Sequence, residues 1–255
     1  MRREISRLPS DVSRLIHINN YLLNIKSNIL SPLKHLFYPH VCNGCGSDLV
    51  ENDNLLCLKC INDLPHTNFA MHPNNPVEKI FWGRLALLAA MSEFYFTKGT
   101  LIQTLIHQFK YKGNIDVGLY LGGIMGYSVL SNNRFTKIDA LVPLPLFAEK
   151  EFKRGYNQAT ILCNGMSEVM KVPVIKNNAV RKRFTETQTK KHRAERWENV
   201  EGSFEINNPN EIRYKHLLLV DDVVTTGATL EACGTELLKI EGTKLSIATL
   251  AYASK

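Results

Sequence analysis

The sequence predicts an α/β fold built on a parallel sheet, preceded by a small cysteine-rich module. Three observations predict it. Strand-like apolar runs alternate with helical patterns from residue 85 to the end of the chain. One of these runs, Leu217-Leu218-Leu219-Val220, is apolar without interruption, as a strand covered on both faces requires. Finally, Cys42-Asn-Gly-Cys45 and Cys57-Leu-Lys-Cys60 are two C-x-x-C pairs eleven residues apart, and each pair can present two thiolates from a tight knuckle.

Taken in order, residues 1–31 form a helical extension, mildly amphipathic and basic, with Leu15, Leu22, Ile25 and Ile29 on one face. This segment suits docking on the body of the protein, on a partner or on an anionic surface. Residues 32–66 are the cysteine module, entered through Pro39 and closed by Pro65, with His40 nearby. Gly46 suits the first knuckle. A Pro- and Asn-containing connector, Thr67 to Pro76, leads into the main domain at 80–255. There, 85–96 reads as strand, 100–109 and 115–130 as helices, and 138–146 as a strand bracketed by prolines. Residues 157–170 read as helix and 172–176 as a short strand. A strand at 216–221, a helix at 229–240 and a strand at 244–252 complete the domain. Cys163 and Cys233 fall at helical spacing among Ala159, Leu162, Met166 and Leu230, Leu237, and read as core residues.

Composition bounds the function. An apolar fraction of 44% is that of a globular protein with a real core. A net charge of +7 suits a polyanionic partner, either a phosphate-rich small molecule or nucleic acid. No run approaches the ~18 apolar residues of a membrane span. The N-terminus lacks the compact apolar core of a secretory signal, so the expected compartment is the cytoplasm. In a reducing compartment four closely spaced cysteines hold zinc rather than pair as disulfides. Four thiolates fill the shell of a structural ion.

The stretch after the apolar strand carries the chemistry. Asp221 and Asp222 are followed by Val223, Val224, Thr225, Thr226, Gly227, Ala228 and Thr229. Adjacent carboxylates repel, so a fold tolerates them best where sugar hydroxyls or a cation are bound. A Gly- and Thr-rich turn opening a helix aims N–H groups and hydroxyls at an anion. A second anion site is expected in the basic loop that follows the 138–146 strand, at Lys150, Lys153, Arg154 and Gly155. In a parallel sheet both loops belong at the carboxyl ends of the strands. Residues 177–202 are dense in cations and suit a loop that closes over a charged substrate. Lys110 and Lys112 are either phosphate contacts or solvent-facing. No aromatic-plus-basic platform for single-stranded nucleic acid stands out.

The string from Asp221 to Thr229 closely resembles the PRPP-binding motif of type I phosphoribosyltransferases (PRPP is phosphoribosyl pyrophosphate). Further motifs extend the likeness: Leu36-Phe37-Tyr38-Pro39, the paired C-x-x-C, Phe109-Lys110-Tyr111-Lys112-Gly113 and Val142-Pro143-Leu144-Pro145. They continue with Arg154-Gly155-Tyr156-Asn157-Gln158, then Arg183, Thr187-Gln188, Arg196, Asn199-Val200 and Phe204. In this combination, over about 33–253, the chain resembles the ComF family, in which a zinc ribbon precedes a phosphoribosyltransferase-like domain. The resemblance implies a type I phosphoribosyltransferase-like parallel sheet, structural Zn²⁺ on Cys42, Cys45, Cys57 and Cys60, and Mg²⁺ bound with PRPP. It implies that Asp221 and Asp222 hold the ribose hydroxyls and that 225–229 wraps the 5′-phosphate. It places Lys153, Arg154 and Gly155 at the pyrophosphate, and Arg154, Lys190, Arg193 and Arg196 as candidates for catalysis. It also implies a role in DNA uptake beside a helicase and recombination proteins. The alternative is a non-catalytic sensor of PRPP or nucleotides that binds such partners or single-stranded DNA. No residue declares itself a general base, and none declares the acceptor.

Overall fold

The uninterrupted apolar strand is buried on both faces. The computed structural model describes residues 41–48, 50, 54–181 and 202–253. In it β5 (His216–Val224) lies in the interior of a four-stranded parallel sheet with the order β1-β6-β5-β2. Its neighbours are β6 (Lys244–Tyr252) and β2 (Ala140–Pro143), and β1 (Ala90–Tyr95) lies beyond β6. Leu217 to Val220 are fully buried. This is the predicted α/β class.

Helices cover the sheet where the sequence puts apolar residues at helical spacing. The first of the cysteine module is α1 (Leu58–Asn62), followed by α2 (Pro76–Phe81). Next, α3 (Leu101–Tyr111) buries Ile102, Leu105, Ile106 and Phe109, one stripe of an amphipathic helix. Then α4 (Ile115–Leu130) is buried on several sides and packs closely on α6 (Gln158–Met170). Small residues allow that approach. A Cβ on Gly122 would stand 2.3 Å from the Leu162 carbonyl oxygen, and one on Gly165 would stand 2.1 Å from that of Leu119. On the other side of β5 runs α8 (Ala228–Leu238), with Leu230, Cys233 and Leu237 inward. Cys163 and Cys233 are buried core residues, as expected.

Several elements differ from expectation. The basic loop after β2 contains a helix, α5 (Ala148–Arg154), closed by Gly155 in the left-handed region at φ 82°. Five of its seven residues are charged, so it carries no apolar stripe, and none of its residues is buried. The predicted strand at 172–176 is a single bridge, Val174 to Leu141, because Pro173 lacks an N–H for a longer ladder. Two short strands, β3 (Ala179–Arg181) and β4 (Phe204–Ile206), pair antiparallel, and α7 (Pro209–Ile212) follows. Buried Asn178 ties them together. Its side chain donates to the Asn208 carbonyl and to Glu211, and accepts from the Asn208 N–H.

The segment Thr67 to Pro76 is packed rather than loose. His66 bridges to Phe94 at the outer edge of β1, and the Thr67 N–H donates to the Glu93 carbonyl. Asn75 caps α2 through Oδ1, while its Nδ2 reaches the carbonyls of Phe69, His72 and Ala90. Residues 1–31, His40, the 36–39 motif and 182–201 lie outside the described residues.

Candidate functional site

Three pieces converge at the carboxyl ends of the strands. The first is the end of β5 itself. Asp221 and Asp222 remain in the ladder, with Asp221 level with Thr249 of β6, and the strand runs on to Val224. The acids are therefore fixed by sheet backbone on the β6 side, while β2 ends level with Val220. Val224 is buried, and its carbonyl accepts the Ala253 N–H, while Val223 is half-buried. The Asp222 N–H donates to Asp221 Oδ1 at 2.8 Å. Burial, then the charge of Asp222, pushes Asp221 up from the ordinary carboxylate range to about 8. The Asp222 N–H, Lys110 and Arg181 pull it back in part.

The second piece is the turn. Thr225 and Thr226 are exposed, and Gly227 caps α8 at φ 74°. Two facts require glycine there. The left-handed backbone is one, and the other is space: a Cβ would stand 2.6 Å from Ile80 Cγ2 and 2.8 Å from Phe81 Cε1. The turn is thus wedged against α2. Arg84 braces it further, donating to the Thr226 and Ile80 carbonyls and pairing with Glu231 of α8. No side chain caps α8, so the first-turn amides after Gly227, including those of Ala228 and Thr229, face outward for an anion.

The third piece is basic. Lys110, at the end of α3, meets Asp222 Oδ2 at 2.6 Å and is largely buried, so it is not solvent-facing. A cleft of about 390 Å³ opens beside it, lined by Lys110, Tyr111, Gly113, Lys150, Lys153 and Arg154. Arg154 Nη1 donates to Gln158 at 2.6 Å, and its guanidinium lies 5.7 Å from the Tyr111 ring centre. The residues after Gly155 are architectural. Tyr156 donates to the Phe109 carbonyl and stacks on that ring, and Asn157 caps α6 while holding the Leu144 carbonyl. Lys153 and Arg154 so line the cleft, and Gly155 follows them as the cap of α5. Of the remaining candidates, Lys190, Arg193 and Arg196 lie outside the described residues.

The cleft also changes one expectation. Tyr111 is 65% exposed and Phe152 of α5 is 90% exposed, among Lys150, Lys153 and Arg154. This is an aromatic-plus-basic surface. It was illegible in the sequence because its two halves are about forty residues apart and α5 was not evident.

At the front of the chain the four cysteines gather. Their sulfurs all lie within 4.8 Å of one another, with Cys45 and Cys57 at 3.7 Å. Zn–S bonds of about 2.3 Å would place tetrahedral thiolates about 3.8 Å apart, so the donor set fits a four-coordinate ion. Cys42 Sγ accepts N–H bonds from Gly44 at 3.4 Å and Cys57 at 3.3 Å. Burial raises the Cys42 thiol, but the N–H groups of Cys45, Cys57 and Gly44 outweigh it and bring it to about 7. Burial and the neighbouring thiols push Cys60 up instead. The module is joined to the main body at α3. Gly44 backs on Leu101, Gln108 donates to the Asn43 carbonyl at 2.7 Å, and the α4 cap Asn114 donates to Asn43 Oδ1 at 2.9 Å.

A parallel sheet that ends in an acidic pair and a Thr-Thr-Gly turn defines a class, and comparison agrees: residues 153–255 match the phosphoribosyl transferase domain. Over most of its length the chain is similar to bacterial competence and DNA utilization proteins. It is 26% identical over 224 residues to competence protein F of Haemophilus influenzae, covering 86% of this chain and 93% of that one. It is 28% identical over 203 residues to DNA utilization protein YhgH of Escherichia coli, covering 78% and 84%. With competence protein ComFC of Bacillus subtilis it shares 28% over 195 residues, covering 74% of each chain. No helix among the described residues is long and apolar enough to cross a membrane.

Proposed function

We propose that this protein binds PRPP and transfers its phosphoribosyl group, in the cytoplasm, during the handling of imported DNA. The observation that carries the reading is the junction of β5 and α8. It sets two carboxylates, an anion-ready turn and a basic cleft along one rim of the sheet. Asp221 and Asp222 accept hydrogen bonds from the ribose 2′- and 3′-hydroxyls. The turn at Thr225, Thr226, Gly227, Ala228 and Thr229 holds the 5′-phosphate. Lys153, Arg154 and Gly155 receive the pyrophosphate, and Lys190, Arg193 and Arg196 are further candidates for stabilising its charge. The C1′–O bond to pyrophosphate breaks as the acceptor nitrogen bonds to C1′ and loses its proton. Positioning and charge stabilisation carry most of such a reaction. Mg²⁺ bound with PRPP would neutralise charge on the pyrophosphate. Zn²⁺ on Cys42, Cys45, Cys57 and Cys60 is structural, and a four-thiolate site calls for a reducing compartment.

Calorimetry with PRPP and Mg²⁺ tests the reading. Binding at micromolar concentration is expected, with ribose 5-phosphate binding more weakly, and pyrophosphate release should follow with one acceptor from a panel of bases. No heat with PRPP would overturn it. Binding without release would favour the sensor that docks on a helicase, on recombination proteins or on DNA.

A second reading has its own support in Tyr111 and Phe152. Exposed rings among cations suit single-stranded nucleic acid, where stacking contributes about 1–3 kcal/mol per base. Phe152→Ala is expected to weaken binding of an oligothymidine about fivefold or more by fluorescence anisotropy while leaving PRPP binding within twofold. Equal oligonucleotide affinity in the variant would dismiss this surface.

A further inference from the structure

The basic cleft is lined by α5, which follows β2 at one edge of the sheet. Another cavity, of about 160 Å³, lies against β1 at the other edge. β6 stands between it and the acidic pair of β5. Met91 and Glu93 of β1, Tyr127 of α4, and His66, Phe69 and Met71 of the segment before α2 line this cavity. Met71 is 61% exposed and brings it to the surface.

The cavity reverses the charge of the chain. The protein carries +7, yet no lysine or arginine is among the described residues that line it, and its one permanent charge is Glu93. Glu93 is only 5% exposed, and a carboxylate so buried is costly without a partner. His66 Nδ1 meets its Oε1 at 2.8 Å, but histidine is a cation only part of the time near neutral pH. Among the described residues, no hydrogen bond or ion pair reaches the other oxygen, Oε2.

The walls are set before any ligand arrives. Arg134 donates to the carbonyls of Phe69, Ala70 and His72 and pairs with Glu78. Asn75 binds two of the same carbonyls, those of Phe69 and His72. The Phe69 ring is held by Tyr95 and Tyr252, at centre distances of 5.5 and 6.0 Å. A ligand therefore does not have to order this segment on binding.

Chemistry narrows the occupant. An anion would meet the carboxylate. A metal ion would find one carboxylate and one imidazole, whereas the four cysteines are the only cluster of three or more such donors among the described residues. Aromatic rings beside a buried carboxylate suit an organic cation, which is drawn to ring faces as well as to negative charge. Size agrees, since a cavity of about 150 Å³ holds a guest the size of benzene.

We propose that this cavity binds a small organic cation, an alkylammonium of about five or six heavy atoms. Its N–H groups donate to Glu93 Oε2, and its alkyl part lies among the rings of His66, Phe69 and Tyr127. His66 holds Oε1 and so orients the carboxylate. The site is separate from the acidic pair and does not rest on the PRPP reading.

The test uses the full-length, zinc-loaded chain with labelled methionine methyl groups, titrated by NMR with n-butylammonium chloride. The Met71 and Met91 signals should shift saturably, with a Kd of about a millimolar or below, while those of Met166 and Met170 in α6 stay in place. The neutral 1-butanol should bind at least about tenfold more weakly, and Glu93→Gln should weaken the ammonium about 10- to 100-fold, the range of one charged hydrogen bond. Ser128→Leu, on the α4 wall, keeps a good helix former and fills the space, so it should abolish the response. The comparison with butanol and the Ser128→Leu variant decide the matter even if Glu93→Gln fails to fold. Still Met71 and Met91 signals would overturn the site. Equal affinity for butanol and butylammonium would overturn the cation, leaving an apolar niche.

Discussion

Treatment with a strong chelator is expected to strip about one zinc per chain and to melt the front of the molecule. The module's helix α1 spans five residues, too short to persist alone, and among the described residues its buried apolar side chains are few, such as Leu56, Ile61 and Leu64. Zinc binding to four thiolates contributes about 10–16 kcal/mol of apparent free energy, comparable to the whole stability of a domain. Cys60→Ser should therefore lose the metal and lower the thermal midpoint by more than about 10 °C. The damage should travel along α3. Gln108 holds the Asn43 carbonyl, and two residues on, Lys110 holds Asp222, so loss of the knuckle loosens the cation that steadies the acidic pair. Metal analysis by mass spectrometry, with calorimetric melting before and after chelation, checks this. A metal-free chain with an unchanged melting curve would sink it.

How much of this was legible in the sequence depends on distance along the chain. The strand at 216–221, the helix at 229–240 and the cysteine pairs are local patterns of period, turn chemistry and spacing, and the structure contains them within a few residues. The final strand agrees with expectation at both ends. What could not be read was pairing between distant segments. Lys110 was ambiguous because nothing local says that α3 ends against β5, more than a hundred residues later. The helix α5 buries nothing and so leaves no hydrophobic period in the sequence. The glycine of the turn is accounted for in the sequence by the backbone freedom an anion site needs. Its contact with Ile80 and Phe81 adds a packing reason that belongs to α2, an element with no motif.

Exchange of the acidic pair for amides, Asp221→Asn/Asp222→Asn, is expected to abolish PRPP binding and to stabilise the empty protein. The two effects share one cause. In the empty site burial and the charge of Asp222 raise Asp221 from its ordinary 3.8 to about 8. A carboxyl raised on folding contributes stability that is fully present below its unfolded value and is lost as pH rises through the folded one. The ligand-free wild type should thus lose stability between about pH 4 and pH 8. The variant, with no proton to lose at 221, should show a flatter profile and melt higher near pH 8.5, by about 2–4 °C for each kcal/mol recovered. Binding runs the other way. A ribose hydroxyl donates to the ionised carboxylate, so PRPP affinity in the wild type should climb as pH rises toward 8. Loss of two charged hydrogen bonds, about 1.5–3 kcal/mol each, weakens binding by about 10²- to 10⁴-fold. Asp222→Asn alone also frees Lys110, so its ligand-free stabilisation should be the smaller of the two. Scanning calorimetry from pH 5 to 9 and titration calorimetry at pH 6.5 and 8.5 read both slopes. Equal PRPP affinity in wild type and double variant would remove the acids from the site, whatever the melting curves show. A variant that neither binds nor gains stability above pH 8 would mean that the acids serve the ligand without straining the fold.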